Sequence, residues 1–205
     1  ERGSMGDAGV TVVASDNPTG EEGYEVICGA DDAEDVLDTL INRGLNAAPF
    51  GYRTFESLTL EAGTPLFESE LTGRIPNTVG LRHALDFEKG CYVGQELVSK
   101  VANRGQPSSR LVGLRTDALV DAGSTVRVGG ESVGEITRAV EAPSVGEPIA
   151  MAVVDFGATL DDVTVGSADG TDPVGAAGAD LPFVTGSAAS LRMPTYPAKR
   201  TTGQE

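Results

Sequence analysis

Residues 124–140 read STVRVGGESVGEITRAV. Val126 and Val128 alternate with polar neighbours, Gly129-Gly130 interrupts them, and apolar residues resume at Val133 and Ile136. Alternation on both sides of a glycine pair marks a β-hairpin, because a two-residue primed turn needs positive φ at both central positions. The same texture surrounds it. SRLVGLRTD (109–117), EPIAMAVVDF (147–156), DDVTVG (161–166) and DLPFV (180–184) are short β segments with turns between them. Regularly spaced short strands predict a small barrel or sandwich. This all-β texture begins after Pro107. We place a boundary there, with an α+β domain over 1–106 and a β domain over 107–187. GSADGTDPVGAAGAD (166–180) reads as a flexible surface loop, and 188–205 as a disordered tail.

Ahead of the boundary the pattern mixes periods. GVTVVA (9–14) and GYEVIC (23–28) read as antiparallel strands joined by SDNPTGEE (15–22), a run of turn formers. DDAEDVLDTLINRG (31–44) reads as a helix capped by Asp31 or Asp32, with Val36, Leu37, Leu40 and Ile41 buried and Gly44 past its end. A second helix is expected over 51–62, with Tyr52, Phe55 and Leu58 on one face. A third, shorter one is expected over 78–88. The chain opens at Glu1 rather than Met, and a strand-like run follows almost at once. We therefore expect it to begin inside a larger reading frame.

The 205 residues carry a formal charge of −16, with only three lysines (Lys89, Lys100, Lys199) against twelve arginines. The acids are dispersed, which argues against a disordered acidic arm. No basic stripe exists to neutralise phosphates, so nucleic acid is not an expected partner. No apolar run is long enough to span a bilayer and no signal peptide is evident, so the expected location is cytoplasmic. Cys28 and Cys91 do not make a disulfide framework, and His83 is the only histidine, so no metal site is expected. GxSxG and GxGxxG are absent, which removes the nucleophile-elbow and dinucleotide readings.

Two stretches can carry chemistry. In PTGEEGYE (18–25), glycines bracket two acids and Glu25 enters a strand. A carboxylate fixed at a strand start can accept two parallel N–H bonds from a planar amidine-like edge, such as that of a pterin. The alternative is a hairpin loop with solvated acids. In EKGCYVGQE (88–96), Cys91 lies near the Lys89 cation, Gly90 and Gly94 allow sharp turns, and Tyr92 can stack on a heterocycle. The alternative is a connector holding a small buried cysteine. Cys28, between strand residues, reads as core.

TGEEGYE (19–25), ESLTLEAGTPLFESEL (56–71), KGCYVGQE (89–96), VGEITRAVEAPSVGEPIAMAVV (133–154) and LPFV (181–184) follow one another in an order that resembles the glycine-cleavage T-protein/YgfZ superfamily of tetrahydrofolate-binding proteins. The resemblance covers most of residues 9–185. It implies a partial folate-binding α+β domain followed by a small C-terminal antiparallel β-barrel. It also implies further chain ahead of the TGE loop, which in T-proteins holds the catalytic aspartate; no residue here is given that role. Glu25 matches the T-protein glutamate on the pterin edge, and Thr19, Gly20 and Glu21 accompany it as tetrahydrofolate-binding positions. Two positions depart from the T-protein pattern: Pro18 replaces a tyrosine and Phe55 an arginine. Lys89, Gly90, Cys91, Tyr92, Gly94, Gln95 and Glu96 match the KGCYxGQE pattern of the YgfZ-like branch. That branch supports iron–sulfur enzyme maintenance, so the resemblance makes Cys91 a functional thiol, with iron–sulfur enzymes as partners. The alternative branch is the aminomethyltransferase, which passes a one-carbon unit from a lipoylated carrier protein to tetrahydrofolate.

The composition also resembles that of a halophilic archaeal member of the superfamily. At molar salt the screening length falls to about 3 Å, so repulsion among dispersed acids is suppressed. The chain is expected to lose helix and strand signal by circular dichroism on dialysis below about 0.5 M salt; an unchanged spectrum contradicts this reading.

Overall fold

A computed structural model of the chain describes residues 1–44, 47–104, 106–166 and 173–196. Its first strands, β1 (Arg2–Met5), β2 (Ala8–Ala14) and β3 (Tyr24–Cys28), form an antiparallel sheet in that order. Alternation gives the sheet one apolar face, where Val10, Val12, Val26 and Cys28 pack against Val36 and Leu40. Those two residues come from α1 (Ala33–Asp38) and the wider turn at Thr39–Arg43. Leu37 is exposed, so the expected stripe narrows. Neither Asp31 nor Asp32 caps the helix through its side chain. Gly44 has extended backbone, not left-handed, and is required for space: a Cβ there would lie 2.3 Å from the Leu40 carbonyl oxygen.

The second helix, α2 (Tyr52–Glu61), forms where the periodicity places it and ends at Gly63, whose φ is +70°. Its buried residues are Thr59, Leu60 and Glu61, whereas Tyr52 is 88% exposed. Burial is concentrated in the C-terminal turn, so the Tyr52/Phe55/Leu58 stripe does not become the packed face. The helix expected over 78–88 shrinks to one 3-10 turn at Arg82–Ala84. Gly80, at φ +68°, breaks the helical path, and a Cβ there would lie 2.8–2.9 Å from Pro194 and Thr195. The helix of this region is instead α3 (Gln95–Arg104), starting inside the KGCYVGQE motif after Gly94, whose φ is +87°.

Six strands then close an antiparallel barrel. They are β4 (Ser109–Thr116), β5 (Thr125–Val128), β6 (Glu131–Ala142), β7 (Glu147–Asp155), β8 (Val163–Gly166) and β9 (Val174–Ala179), arranged β4-β7-β6-β5-β8-β9. Gly129 and Gly130 both take positive φ between the paired residues Val128 and Glu131, as the quoted hairpin requires. Strand β9 corrects the expectation of a flexible loop over 166–180; its residues pair with β8 and β4. VGAAGA carries no large alternating residue because neighbours crowd it. A Cβ at Gly175 would lie 2.3 Å from Asp117, and one at Gly178 would lie 2.9 Å from Leu160. Residues 167–172 of that stretch lie outside the described residues.

Strand β7 is buried on both sides. Ala150, Ala152 and Val154 face the barrel interior, while Ile149 and Met151 pack outward against Leu60 of α2. The near-continuous apolar run PIAMAVV is the signature of such a strand. Strand β6 changes parity partway. Its register with β7 shifts between Ile136 and Arg138, so Ile136 and Ala139 point inward while Arg138 and Val140 point outward. Arg138 then donates from Nη1 to Thr59 Oγ1 at 2.7 Å and from Nη2 to the Thr64 carbonyl at 2.8 Å. Its Nε lies 3.5 Å from Glu70 Oε1, and the two side chains are 8% and 0% exposed. Glu70 Oε2 accepts the Leu66 N–H at 2.7 Å. Burial pulls the guanidinium pKa down, and the Glu70 carboxylate opposes that shift.

Residues 188–196 are not a disordered tail. Thr195 donates its N–H to the Gly80 carbonyl. The Tyr196 hydroxyl donates to the Thr78 carbonyl at 2.6 Å and accepts the Leu111 N–H at 2.7 Å. Burial pushes this phenol up to about 12. The segment is ordered by polar contacts with distant parts of the chain, which its composition does not announce. Residues 197–205 lie outside the described residues. Among the described residues no helix is long and apolar enough to cross a membrane.

Arg138→Ala leaves Glu70 buried without its cation and is expected to cost roughly 3–5 kcal/mol in denaturant unfolding. The double substitution Arg138→Met with Glu70→Leu is expected to recover a large part of that loss, because two apolar groups replace two buried charges.

Candidate functional site

The TGE loop, residues 15–23, joins β2 to β3. The Ser15 N–H donates to the Gly23 carbonyl at 2.8 Å, and the Gly20 N–H to the Asn17 carbonyl at 2.9 Å. Asn17 takes φ +56° and Gly20 φ +77°. Gly20 is buried, and a Cβ there would lie 3.3 Å from that of Ala62, just past α2. The loop therefore sits on the end of α2. Thr19 is half-buried; Glu21 and Glu22 are exposed.

The two acids singled out in this region stand in different surroundings. Glu21 is engaged by Ser187, whose hydroxyl donates to Oε2 and whose N–H donates to Oε1 at 3.1 Å. These bonds, the hydroxyl's first, hold the Glu21 carboxyl below its ordinary range. Glu25 lies in β3 directly opposite Val13. Its side chain belongs to the sheet face turned away from α1, alongside the exposed Val13 and Ile27. Among the described residues no hydrogen bond or ion pair engages its carboxylate. The site thus offers a free acceptor pair on an exposed, partly apolar strand surface.

The 88–96 stretch is a separate feature. Cys91 is exposed, while Cys28 is half-buried against the sheet–helix cluster. Lys89 Nζ lies 4.6 Å from the Tyr92 ring centroid, so this cation sits over the phenol. Asp86 Oδ1 accepts the N–H groups of Glu88 and Lys89 at 2.9 and 3.2 Å. Gln95 is half-buried and Glu96 exposed at the start of α3. Among the described residues no hydrogen bond or ion pair joins 88–96 to the TGE loop. His83 is exposed, and no group of three or more His, Cys, Asp or Glu is placed to hold a metal among the described residues.

Two features were not read from the sequence. Phe50, Gly51, Tyr52 and Phe55 line a shallow concavity with Phe50 and Tyr52 exposed. The aromatics on both sides of a glycine in PFGY are its only local signal. Asp16 accepts a charge-assisted hydrogen bond from Arg192 Nε. That pair, like Glu21 with Ser187, spans nearly the whole chain and has no local signal.

Comparison with known proteins agrees with this architecture. Residues 5–89 match the GCVT N-terminal domain, and residues 110–184 match the glycine cleavage T-protein C-terminal barrel domain. The chain belongs to the glycine-cleavage T-protein superfamily. It is 40% identical over 157 residues to an aminomethyltransferase of Streptomyces avermitilis, an alignment covering 72% of this chain and 42% of that protein. It is 32% identical over 143 residues to an aminomethyltransferase of Bacillus subtilis, covering 67% and 39%. In three dimensions it matches the crystal structure of glycine cleavage system aminomethyltransferase T from Bartonella henselae with a TM-score of 0.74 and 22% identity. That match covers 91% of this chain and 51% of that one, and it speaks for the fold. The chain thus spans about two fifths of the length of the sequence relatives named here. Superfamily membership agrees with the resemblance noted above. The relatives are named aminomethyltransferases, which corresponds to the alternative branch and not to the YgfZ-like one favoured by KGCYVGQE.

Proposed function

We propose that this chain is the folate-binding and barrel part of an aminomethyltransferase-type protein, acting on tetrahydrofolate and a lipoylated carrier. The observation that carries the reading is Glu25. A carboxylate at the start of a strand, without a hydrogen-bond or ion-pair partner among the described residues and flanked by Val13 and Ile27, suits a flat heterocycle with two adjacent N–H donors. The 2-amino and N3–H edge of a pterin is such a group. Glu25 accepts these two bonds, and Thr19 and Gly20 shape the loop that leads to it. Tetrahydrofolate supplies the acceptor nitrogen for the one-carbon unit; this part of the protein binds and orients it. The folate-binding part corresponds to 1–106 and the barrel to 107–187.

A second reading keeps the YgfZ-like role in iron–sulfur enzyme maintenance. It is favoured by one observation, the exposed thiol of Cys91 within KGCYVGQE. The two readings share the folate site and differ in whether this thiol is used.

Calorimetric titration of tetrahydrofolate in molar KCl is expected to show binding that Glu25→Ala removes and Cys91→Ala leaves intact. No binding by the parent chain contradicts the folate assignment. In cells, loss of iron–sulfur enzyme activity on Cys91→Ala selects the second reading, and unchanged activity selects the first.

A further inference from the structure

The segment 184–192 crosses the TGE loop and supplies most of the bonds that hold it. Its start is anchored on α2, where the Val184 N–H donates to the Glu61 carbonyl at 3.0 Å. Further along, Ser190 is buried and its hydroxyl accepts from Thr64 Oγ1 at 3.1 Å. Between and beyond these anchors it grips the loop. The Ala188 N–H donates to the Gly20 carbonyl at 3.0 Å, and the Leu191 N–H to the Asp16 carbonyl at 3.2 Å. Ser187 engages both oxygens of Glu21, and Arg192 engages Asp16. Gly186 passes so close that a Cβ on it would lie 2.0 Å from the Gly20 carbonyl oxygen. Within the loop itself, by contrast, the backbone bonds are those from Ser15 to Gly23 and from Gly20 to Asn17.

A loop holding Gly, Asn and Pro has many conformations of similar energy, and ordering each residue costs conformational entropy. Contacts from a rigid neighbour select among them. The strap is fixed at α2 and, through Tyr196, at β4. Its grip therefore sets where the loop ends and how β3 begins, one residue before Glu25.

We propose that the strap 184–192 sets the affinity of the folate site, with Ser187 as a positioning residue that acts through Glu21 on the loop delivering Glu25. This rests on the folate reading above, which assigns Glu25 to the pterin edge. In it Glu21 works on the strap, and the two acids of the region divide the tasks of holding the loop and holding the ligand.

The test compares the parent chain with Ser187→Ala, Ser187→Thr and Gly186→Ala in molar KCl. Each is measured for tetrahydrofolate affinity, thermal midpoint and amide hydrogen exchange in residues 15–25. Ser187→Ala removes one charge-assisted hydrogen bond and is expected to weaken binding by about five- to tenfold, at an unchanged midpoint. Exchange in the loop should rise while the barrel strands keep their protection. Ser187→Thr retains the hydroxyl and should restore affinity. Gly186→Ala places a methyl against the Gly20 carbonyl and wedges the strap away from the loop while keeping the Ser187 and Glu21 side chains, and should weaken binding as Ser187→Ala does. Faster loop exchange with undiminished affinity overturns the proposal and reduces the strap to a scaffold. Unchanged exchange in both weakening variants overturns it too, because the strap then does not order the loop. A parent chain that binds no tetrahydrofolate overturns the folate reading and the affinity claim with it, whatever the exchange rates.

Discussion

The arrangement of the described parts depends on the bulge in β6 and the arginine it turns outward. Were Thr137 paired in regular register instead of bulged, Arg138 would share the inward direction of Ile136 and meet the apolar barrel interior. With it, the guanidinium leaves the barrel and reaches Thr59, Thr64 and Glu70. Thr59 lies in α2, Thr64 in the turn after it and Glu70 in the wide helical turn Phe67–Leu71, so one side chain ties all three parts of that segment to the barrel. Leu60 against Ile149 and Met151 supplies the apolar part of the same contact. Glu61, buried beside it, accepts the Ser144 N–H at 3.2 Å and holds the β6–β7 turn. A buried ion pair adds little net stability over apolar residues of the same shape, but its geometry is demanding. Its contribution here is register, because an apolar contact alone would tolerate a helix slid or rotated by part of a turn.

That register passes on to the candidate site. Ala62 and Gly63 follow directly on the anchored turn. Ala62 seats Gly20, and a Cβ at Gly63 would lie 3.1 Å from that of Leu181, three residues ahead of the C-terminal strap. The TGE loop is thus enclosed by α2 on one side and the strap on the other, both referenced to the barrel. Glu25 begins where that enclosure ends. That its carboxylate has no partner among the described residues fits its place in the pleat, since it shares the outer face with the exposed Val13 and Ile27 while Tyr24 and Val26 project toward the opposite face.

Legibility followed the range of the interactions. The β5–β6 hairpin, the pairing of β2 with β3 and helix α2 rest on contacts within a few tens of residues, and their periodicity was readable. Strand β9 was not, because its place between Asp117 and Leu160 demands small residues, and small residues carry no alternation. The expected helix over 78–88 has adequate local propensity, but Gly80 is committed to a close approach by Pro194 and Thr195 more than 110 residues away. Helix α3 holds neither proline nor glycine over Gln95–Arg104, but the glycines of KGCYVG just ahead of it read as a connector. At the site, Glu25 was legible as a carboxylate entering a strand. The partner of Glu21 was not, because Ser187 is 166 residues distant, at the edge of the stretch whose composition suggests disorder. The motif at 88–96 pointed to one branch of the superfamily and the relatives to the other. A short motif and a long alignment weigh different residues.

The ion pairs among the described residues all use arginine: Arg74 with Glu135, Arg115 with Glu147, Arg138 with Glu70 and Arg192 with Asp16. A guanidinium is planar and weakly hydrated, so it holds a carboxylate in a defined orientation better than an ammonium does. Three of the four pairs are partly exposed, and pairs of that kind contribute about 0–1 kcal/mol and weaken as salt screens them. The pair of Arg138 and Glu70 is shielded from solvent and from ions. In concentrated salt the surface pairs fade together with the repulsion among the acids. What then keeps α2 in register is the buried pair and the apolar contact around Leu60. What keeps the TGE loop in place is the short-range hydrogen bonding of Ser187 and the strap backbone, neither of which depends on long-range charge. An acidic chain organised this way can let salt quench its surface electrostatics without loosening the site.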